Sequence, residues 1–154
     1  MDLTEAARTG NITAVINALE KGTDVNYKEF GDGWTALIRA SGQGHKEIVK
    51  LLIEKGADIN YKDKNGWTAL IYASYNGQTE IVKLLIEKGA DIYAKDDHGR
   101  TALMYASRNG HKETVKLLIE KGADINAIDN GGWTALTIAL DKGHPEIADL
   151  LKTV

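Results

Sequence analysis

At 154 residues, with 43% apolar and 27% charged side chains, the chain has the make-up of one soluble globular domain long enough to bury a core. A net charge of −3 argues against a nucleic-acid or anionic-membrane binder, and the absence of cysteine excludes a disulfide framework and a thiol nucleophile. The acidic opening, Met1-Asp2-Leu3-Thr4-Glu5, does not read as a secretory signal, and no apolar run approaches the roughly 20 residues of a membrane span, so a soluble, cytoplasmic, monomeric protein is expected.

Residues 2–26 read as a reduced helix pair, Leu3 to Thr9 and Ile12 to Glu20, with Thr9, Asn17 and Glu20 free to face water. Beyond it the chain repeats every 33 residues. Trp34, Trp67 and Trp133 are each followed by Thr-Ala-Leu, and Arg100 holds the remaining place in the series. Ile48 to Ile59 recurs unchanged at Ile81 to Ile92, and at Thr114 to Ile125 with Thr114 in place of Ile48. Self-similarity at this period marks a solenoid, whose stacked units build an extended surface.

The unit from Asp63 to Lys95 shows the physics of all of them. Asp63-Lys64-Asn65-Gly66 is a turn, because Asp and Asn bond their own backbone and Gly accepts positive φ. Thr68 is an N-cap for a short helix over 69–74, where Ala69, Ala73 and Ser74 permit close approach of a neighbour, and Gly77 ends it. A second helix is predicted from about Thr79 to Lys88, with Ile81, Val82, Leu84, Leu85 and Ile86 on its apolar side. Gly89 closes it and Ala90-Asp91-Ile92 leads to the next turn.

In the last unit Pro145 falls where the second helix begins, which fits the first helical position. That predicts His144 as N-cap and, by register, His45, Gln78 and His111. Gly22 to Gly56 spans one residue more than the later intervals, so the first finger, 27–33, carries a one-residue insertion. The expected divisions are a capping unit over 1–29, full units over 30–62, 63–95 and 96–128, and a closing unit over 129–154.

These features together resemble the ankyrin repeat family. Asp-x-x-Gly-x-Thr-Ala-Leu-x-x-Ala starts at Asp63, Asp96 and Asp129. Gly-His-x-Glu starts at Gly44, Gly110 and Gly143, and Gly-Ala-Asp-Ile at Gly56, Gly89 and Gly122. The resemblance covers almost the whole chain and implies an all-α solenoid of stacked helix-turn-helix units with β-turn fingers. The near-identity of adjacent units is also similar to consensus-designed ankyrin binders, so an engineered or orphan scaffold without a natural partner is the competing reading. The family often has Thr-Pro-Leu-His where this chain has Thr-Ala-Leu followed by Ile38, Ile71, Met104 or Thr137. The histidine network is missing, and apolar packing is expected to replace it. Tyr93 stands where Asn26, Asn60 and Asn126 stand, so the third finger is expected to be held differently, and Arg39 occupies the place of Tyr72, Tyr105 and Ile138.

Catalytic readings fare poorly. Ser41, Ser74 and Ser107 recur with the unit, as packing residues do, and a nucleophile would need a base within about 3 Å. His45, His111 and His144 share one register, but helices stack roughly 8–10 Å apart. That spacing is too wide to share a metal bound at about 2 Å. Asp63, Asp96 and Asp129 open turns, and Glu47, Glu80, Glu113 and Glu146 sit in first helical turns, where the helix dipole favours them. A P-loop is absent. No enzyme, cofactor or metal is expected.

What remains is surface recognition. The resemblance implies a concave face of fingers and first helices that meets a protein partner. By register the candidate contacts are Trp34, Lys64, Asn65, Trp67, Asp97, His98, Arg100 and Trp133 on the fingers, with Tyr75, Asn76, Arg108, Asn109, Asp141 and Lys142 on the helices. Trp, Tyr and Arg are enriched at binding hot spots, and a repeated aromatic series could form an exposed stripe. The alternative is that the tryptophans brace neighbouring fingers. Aromatics interleaved with lysine could stack single-stranded nucleic acid, but Asp32, Asp63, Asp96 and Asp129 on the same edge oppose it.

Overall fold

The computed structural model describes residues 1–153. Among them are ten helices and no strand: α1 (Leu3–Thr9), α2 (Ile12–Glu20), α3 (Ala36–Gln43), α4 (Lys46–Glu54), α5 (Ala69–Tyr75), α6 (Thr79–Glu87), α7 (Ala102–Arg108), α8 (Lys112–Glu120), α9 (Ala135–Asp141) and α10 (Pro145–Lys152). Each odd helix packs on the even helix that follows it. The odd helices stack on one another in one layer and the even helices in a second. This is the all-α stacked-pair architecture that the period predicts.

Helices α3, α5, α7 and α9 start where they do because Thr35, Thr68, Thr101 and Thr134 each accept a hydrogen bond from the backbone N–H three residues on, at 3.2–3.3 Å. Caps of this kind contribute about 1 kcal/mol each. Alanines at 36, 40, 69, 73, 102, 106, 135 and 139 are buried between neighbouring odd helices and let them approach closely. Leu37, Leu70 and Leu103, with Val49, Leu52, Val82, Leu85, Val115 and Leu118 of the even helices, fill the space between the layers. Ser41, Ser74 and Ser107 are fully buried, and among the described residues their hydroxyls have no hydrogen-bond partner.

The expectation that His45, Gln78, His111 and His144 cap their own helices is not met. They occupy the N-cap positions, but none of their side chains bonds its own helix. Each swings back to the preceding unit instead. His45, His111 and His144 place Nε2 at 2.8–2.9 Å from the carbonyls of Arg8, Tyr75 and Arg108, and Gln78 donates to Gly42 O at 3.4 Å. The cross-bond satisfies an orphan carbonyl at the end of the previous odd helix, a demand local sequence reasoning does not see. It also explains Gly77, at φ 69°, where a Cβ would lie 2.6 Å from His111 Nδ1.

The even-helix exits are tied by asparagine. Asn26 Oδ1 accepts from Asp58 N at 2.7 Å and its Nδ2 donates to Gly56 O at 3.2 Å. Asn60 repeats this with Asp91 N and Gly89 O at 2.8 and 3.2 Å. At the next joint Tyr93 is exposed and supplies neither bond. The loop that leaves α6 therefore lacks this tie, but the third finger itself is held by Asp96 as its neighbours are held by their own aspartates, against the expectation from the sequence. Tyr93→Asn should restore both bonds and stabilise the chain by about 1 kcal/mol, net of their solvent competition. An unchanged urea midpoint would count against this.

The insertion at 27–33 is absorbed by Gly31 and Gly33, both at positive φ, and by pairing of Glu29 N with Trp34 O at 2.8 Å. It leaves Phe30 fully exposed at the tip of the first finger.

Candidate functional site

Each complete finger is organised by its aspartate. Asp63 Oδ1 accepts from the N–H groups of Asn65 and Trp67, Asp96 Oδ1 from those of His98 and Arg100, and Asp129 Oδ1 from those of Gly131 and Trp133, all at 2.9 Å. All three carboxylates are buried. Their second oxygens bind the tyrosine of the same unit, a donor from the preceding unit, or both. Asp63 Oδ2 accepts from Trp34 Nε1 at 3.0 Å and from the Tyr72 hydroxyl, and Asp96 Oδ2 accepts from the Tyr105 hydroxyl. Asp129 Oδ2 takes Arg100 Nε at 3.2 Å, Arg100 standing in the tryptophan register as Trp34 does for Asp63, and it has no tyrosine partner because Ile138 holds that register. The absent histidine network is therefore replaced by an Asp–Tyr–Trp/Arg network, and apolar packing is only part of the substitute.

Burial pushes Tyr105 up to about 12, and its bond to Asp96 adds to the rise. Burial, then Asp63, raises Tyr72 further. Burial alone would raise Asp129, but the Trp133 and Gly131 N–H groups and the Arg100 guanidinium hold it below the ordinary 3.8. A tyrosine whose folded pKa is raised contributes stability that is complete below the unfolded value near 10 and is lost as pH rises through the folded value. The melting temperature should therefore fall as pH rises from about 10 towards 12, with Tyr72 and Tyr105 ionising only as the chain unfolds. Ultraviolet tyrosinate titration at low temperature checks this. Ionisation of all six tyrosines near pH 10 without loss of helicity would contradict it.

The aromatic residues form a continuous stack. Trp34 meets Tyr72 edge-on at 6.4 Å, Tyr72 lies 4.8 Å from Trp67, and Trp67 lies 4.6 Å from Tyr105 and 5.3 Å from Tyr75. The Arg39 guanidinium covers the Trp34 ring at 4.1 Å while pairing with Glu29 at 2.9 Å. Trp34 and Trp67 are consequently half-buried, and of the three tryptophans only Trp133 is exposed, at 41%. The expected exposed stripe is thus broken into a braced part and a free end.

Three grooves run along this face, at the first, second and third joints beyond that of the capping unit. Trp34, Trp67, Tyr75 and Asn76 line the first, Asn65, Trp67, Tyr75, Asp97, His98, Arg100 and Arg108 the second, and Arg100, Arg108, Trp133, Asp141 and Lys142 the third. Of the expected contact residues only Lys64 and Asn109 line none of them. Asn109 instead donates to Tyr75 O at 2.9 Å, and Lys64 is exposed on its finger. Sequence reasoning missed Arg39, Tyr72, Met104, Tyr105 and Asp129 as lining residues. The recurrence of tyrosine nine positions after Asp63 and Asp96 was the available signal. Among the described residues no three histidine, aspartate or glutamate side chains group to hold a metal ion.

A family model described as ankyrin repeats (3 copies) matches residues 3–96 and 94–153. The chain belongs to the ankyrin repeat family. Ankyrin repeats are generally non-enzymatic protein-interaction modules. The chain is 40% identical over 60 residues to the ankyrin repeat and SAM domain-containing protein 6 of Rattus norvegicus and 38% identical over 60 residues to that of Mus musculus. Each match covers 39% of this chain but only 7% of the relative, so the likeness is one of repeats. No helix of this ankyrin chain, among the described residues, is long and apolar enough to cross a membrane.

Proposed function

We propose that this ankyrin chain is a monomeric protein-binding module whose partner lies along the grooved face of fingers and odd helices. The observation that carries the reading is the row of three joint grooves from which Tyr75, Arg108 and Trp133 emerge exposed. These are the residue types that dominate binding energy when desolvated. The cross-joint bonds of the aspartates, histidines and asparagines hold the face in one shape, which limits the ordering cost of association. The opposite surface, with Lys50, Lys83 and Lys116 on the even helices, carries mainly solvated charge and is not assigned a role.

The test compares affinity capture by the wild type, by a Tyr75→Ala/Arg108→Ala/Trp133→Ala variant and by a Lys50→Ala/Lys83→Ala/Lys116→Ala control, with helicity followed by circular dichroism. A protein held by the wild type and the control, and released by the first variant while that variant stays folded, is the expected result. A protein released only by the control would overturn the reading. Specific retention by none of the three would favour a scaffold without a natural partner.

A further inference from the structure

The third groove differs from the other two in the residue at the tyrosine register. At the first joint Tyr72 packs between Trp34 and Trp67, donates its hydroxyl proton to Asp63 Oδ2 and accepts from Trp34 Nε1 at 2.8 Å. At the second joint Tyr105 packs on Trp67 and donates to Asp96 Oδ2. At the third joint the register residue is Ile138, which has neither ring nor hydroxyl, and Asp129 Oδ2 has one side-chain donor, Arg100 Nε at 3.2 Å. A carboxylate oxygen has room for a second donor. Beside it an opening of about 240 Å³ is bounded by Met104, Ile138, Trp133 and Arg108. That is below the roughly 300–1,000 Å³ of small-molecule sites and nearer the scale of a single side chain.

We propose that this opening is a subsite for one tyrosine side chain of a protein partner. The ring lies on Ile138 and Met104 beside Trp133, and the hydroxyl donates to Asp129 Oδ2 and accepts from Arg100. The inserted tyrosine completes at the third joint what Tyr72 completes at the first, with Arg100 in the part of Trp34. Arg108, which has no ion-pair partner among the described residues, covers the outer face of the ring at the rim. Phenylalanine fits the same space but offers no donor to the carboxylate, so the site discriminates by the hydroxyl.

The inference rests on the reading of this face as protein-binding, but its test needs no partner, so the two can fail separately. N-acetyl-tyrosinamide and N-acetyl-phenylalaninamide are titrated into isotope-labelled protein, and the Trp133 indole N–H and the Ile138 and Met104 methyl signals are followed by NMR. The tyrosine amide should shift these signals with roughly millimolar affinity, as expected for so small a ligand. The phenylalanine amide should bind about tenfold more weakly, the value of one hydrogen bond to a charged group. Ile138→Tyr, which fills the opening from within, should abolish the shifts and raise the melting temperature. Equal binding of the two amides to the wild type, no shift with either, or shifts that survive in a folded Ile138→Tyr variant would each overturn the proposal. The comparison of amides on the wild type stands even if that variant does not fold.

Discussion

Asp63→Ala should destabilise the chain by about 3–4 kcal/mol, a large effect for a turn residue. The reason is the number of donors left without an acceptor. Asn65 N, Trp67 N, Trp34 Nε1 and the Tyr72 hydroxyl all converge on this one buried carboxylate. Hydrogen bonds to a charged acceptor contribute about 1.5–3 kcal/mol each, and the coupled loss of several is smaller than their sum because the finger relaxes towards water. Asp63→Asn keeps an acceptor for the two backbone groups and should lose about half as much. Asp97→Ala is the control, because Asp97 is exposed one finger on and its side chain holds none of the finger bonds, so its effect should stay within about 0.5 kcal/mol. Urea denaturation followed by circular dichroism measures all three. A loss under about 1 kcal/mol for Asp63→Ala would show that the fingers hold without their aspartates.

Substitution of the tryptophans should divide them. Trp67→Ala removes the ring on which Tyr72, Tyr75 and Tyr105 converge and should cost about 2–3 kcal/mol, less than a fully buried tryptophan because Trp67 is half-exposed. Trp34→Ala should fall in the same range, since it strips a donor from Asp63 and a platform from Arg39. Trp133→Ala should cost less than about 1 kcal/mol, because that ring is exposed and takes part in no aromatic pair. Trp133 is therefore the tryptophan whose substitution reports on binding alone. Equal losses of melting temperature for all three would refute the division between bracing and free rings.

The sequence makes the architecture legible because the period carries it. Thr68 as cap, the two helices of the unit and the glycine exits each rest on local chemistry, and local chemistry repeats. The candidate face is legible as a register that includes Trp67, Arg100 and Arg108. What the register could not show was connection across a joint. His111 looks like a helix cap from its neighbours in the chain, yet its ring nitrogen serves a carbonyl 36 residues earlier. Trp34 looks like a surface aromatic, yet its indole N–H is committed to an aspartate 29 residues later. The cap misreading and the choice between a binding and a bracing tryptophan both turn on contacts between units, which a single unit does not contain. Arg39 is the departure that the register shows; that Ile138 leaves Asp129 without a tyrosine partner follows only once Tyr72 and Tyr105 are seen bonded to Asp63 and Asp96.

The missing asparagine tie at Tyr93 has a consequence for the chain as a one-dimensional array. Stability in such an array is close to a sum of unit terms and nearest-neighbour couplings, so a weakened coupling acts as a fault line. An unfolding front that enters from either end should therefore pause between α6 and α8, where the asparagine tie of the earlier joints is missing. Native-state hydrogen exchange should show amide protection grouped on either side of Tyr93, and the grouping should merge into one in Tyr93→Asn.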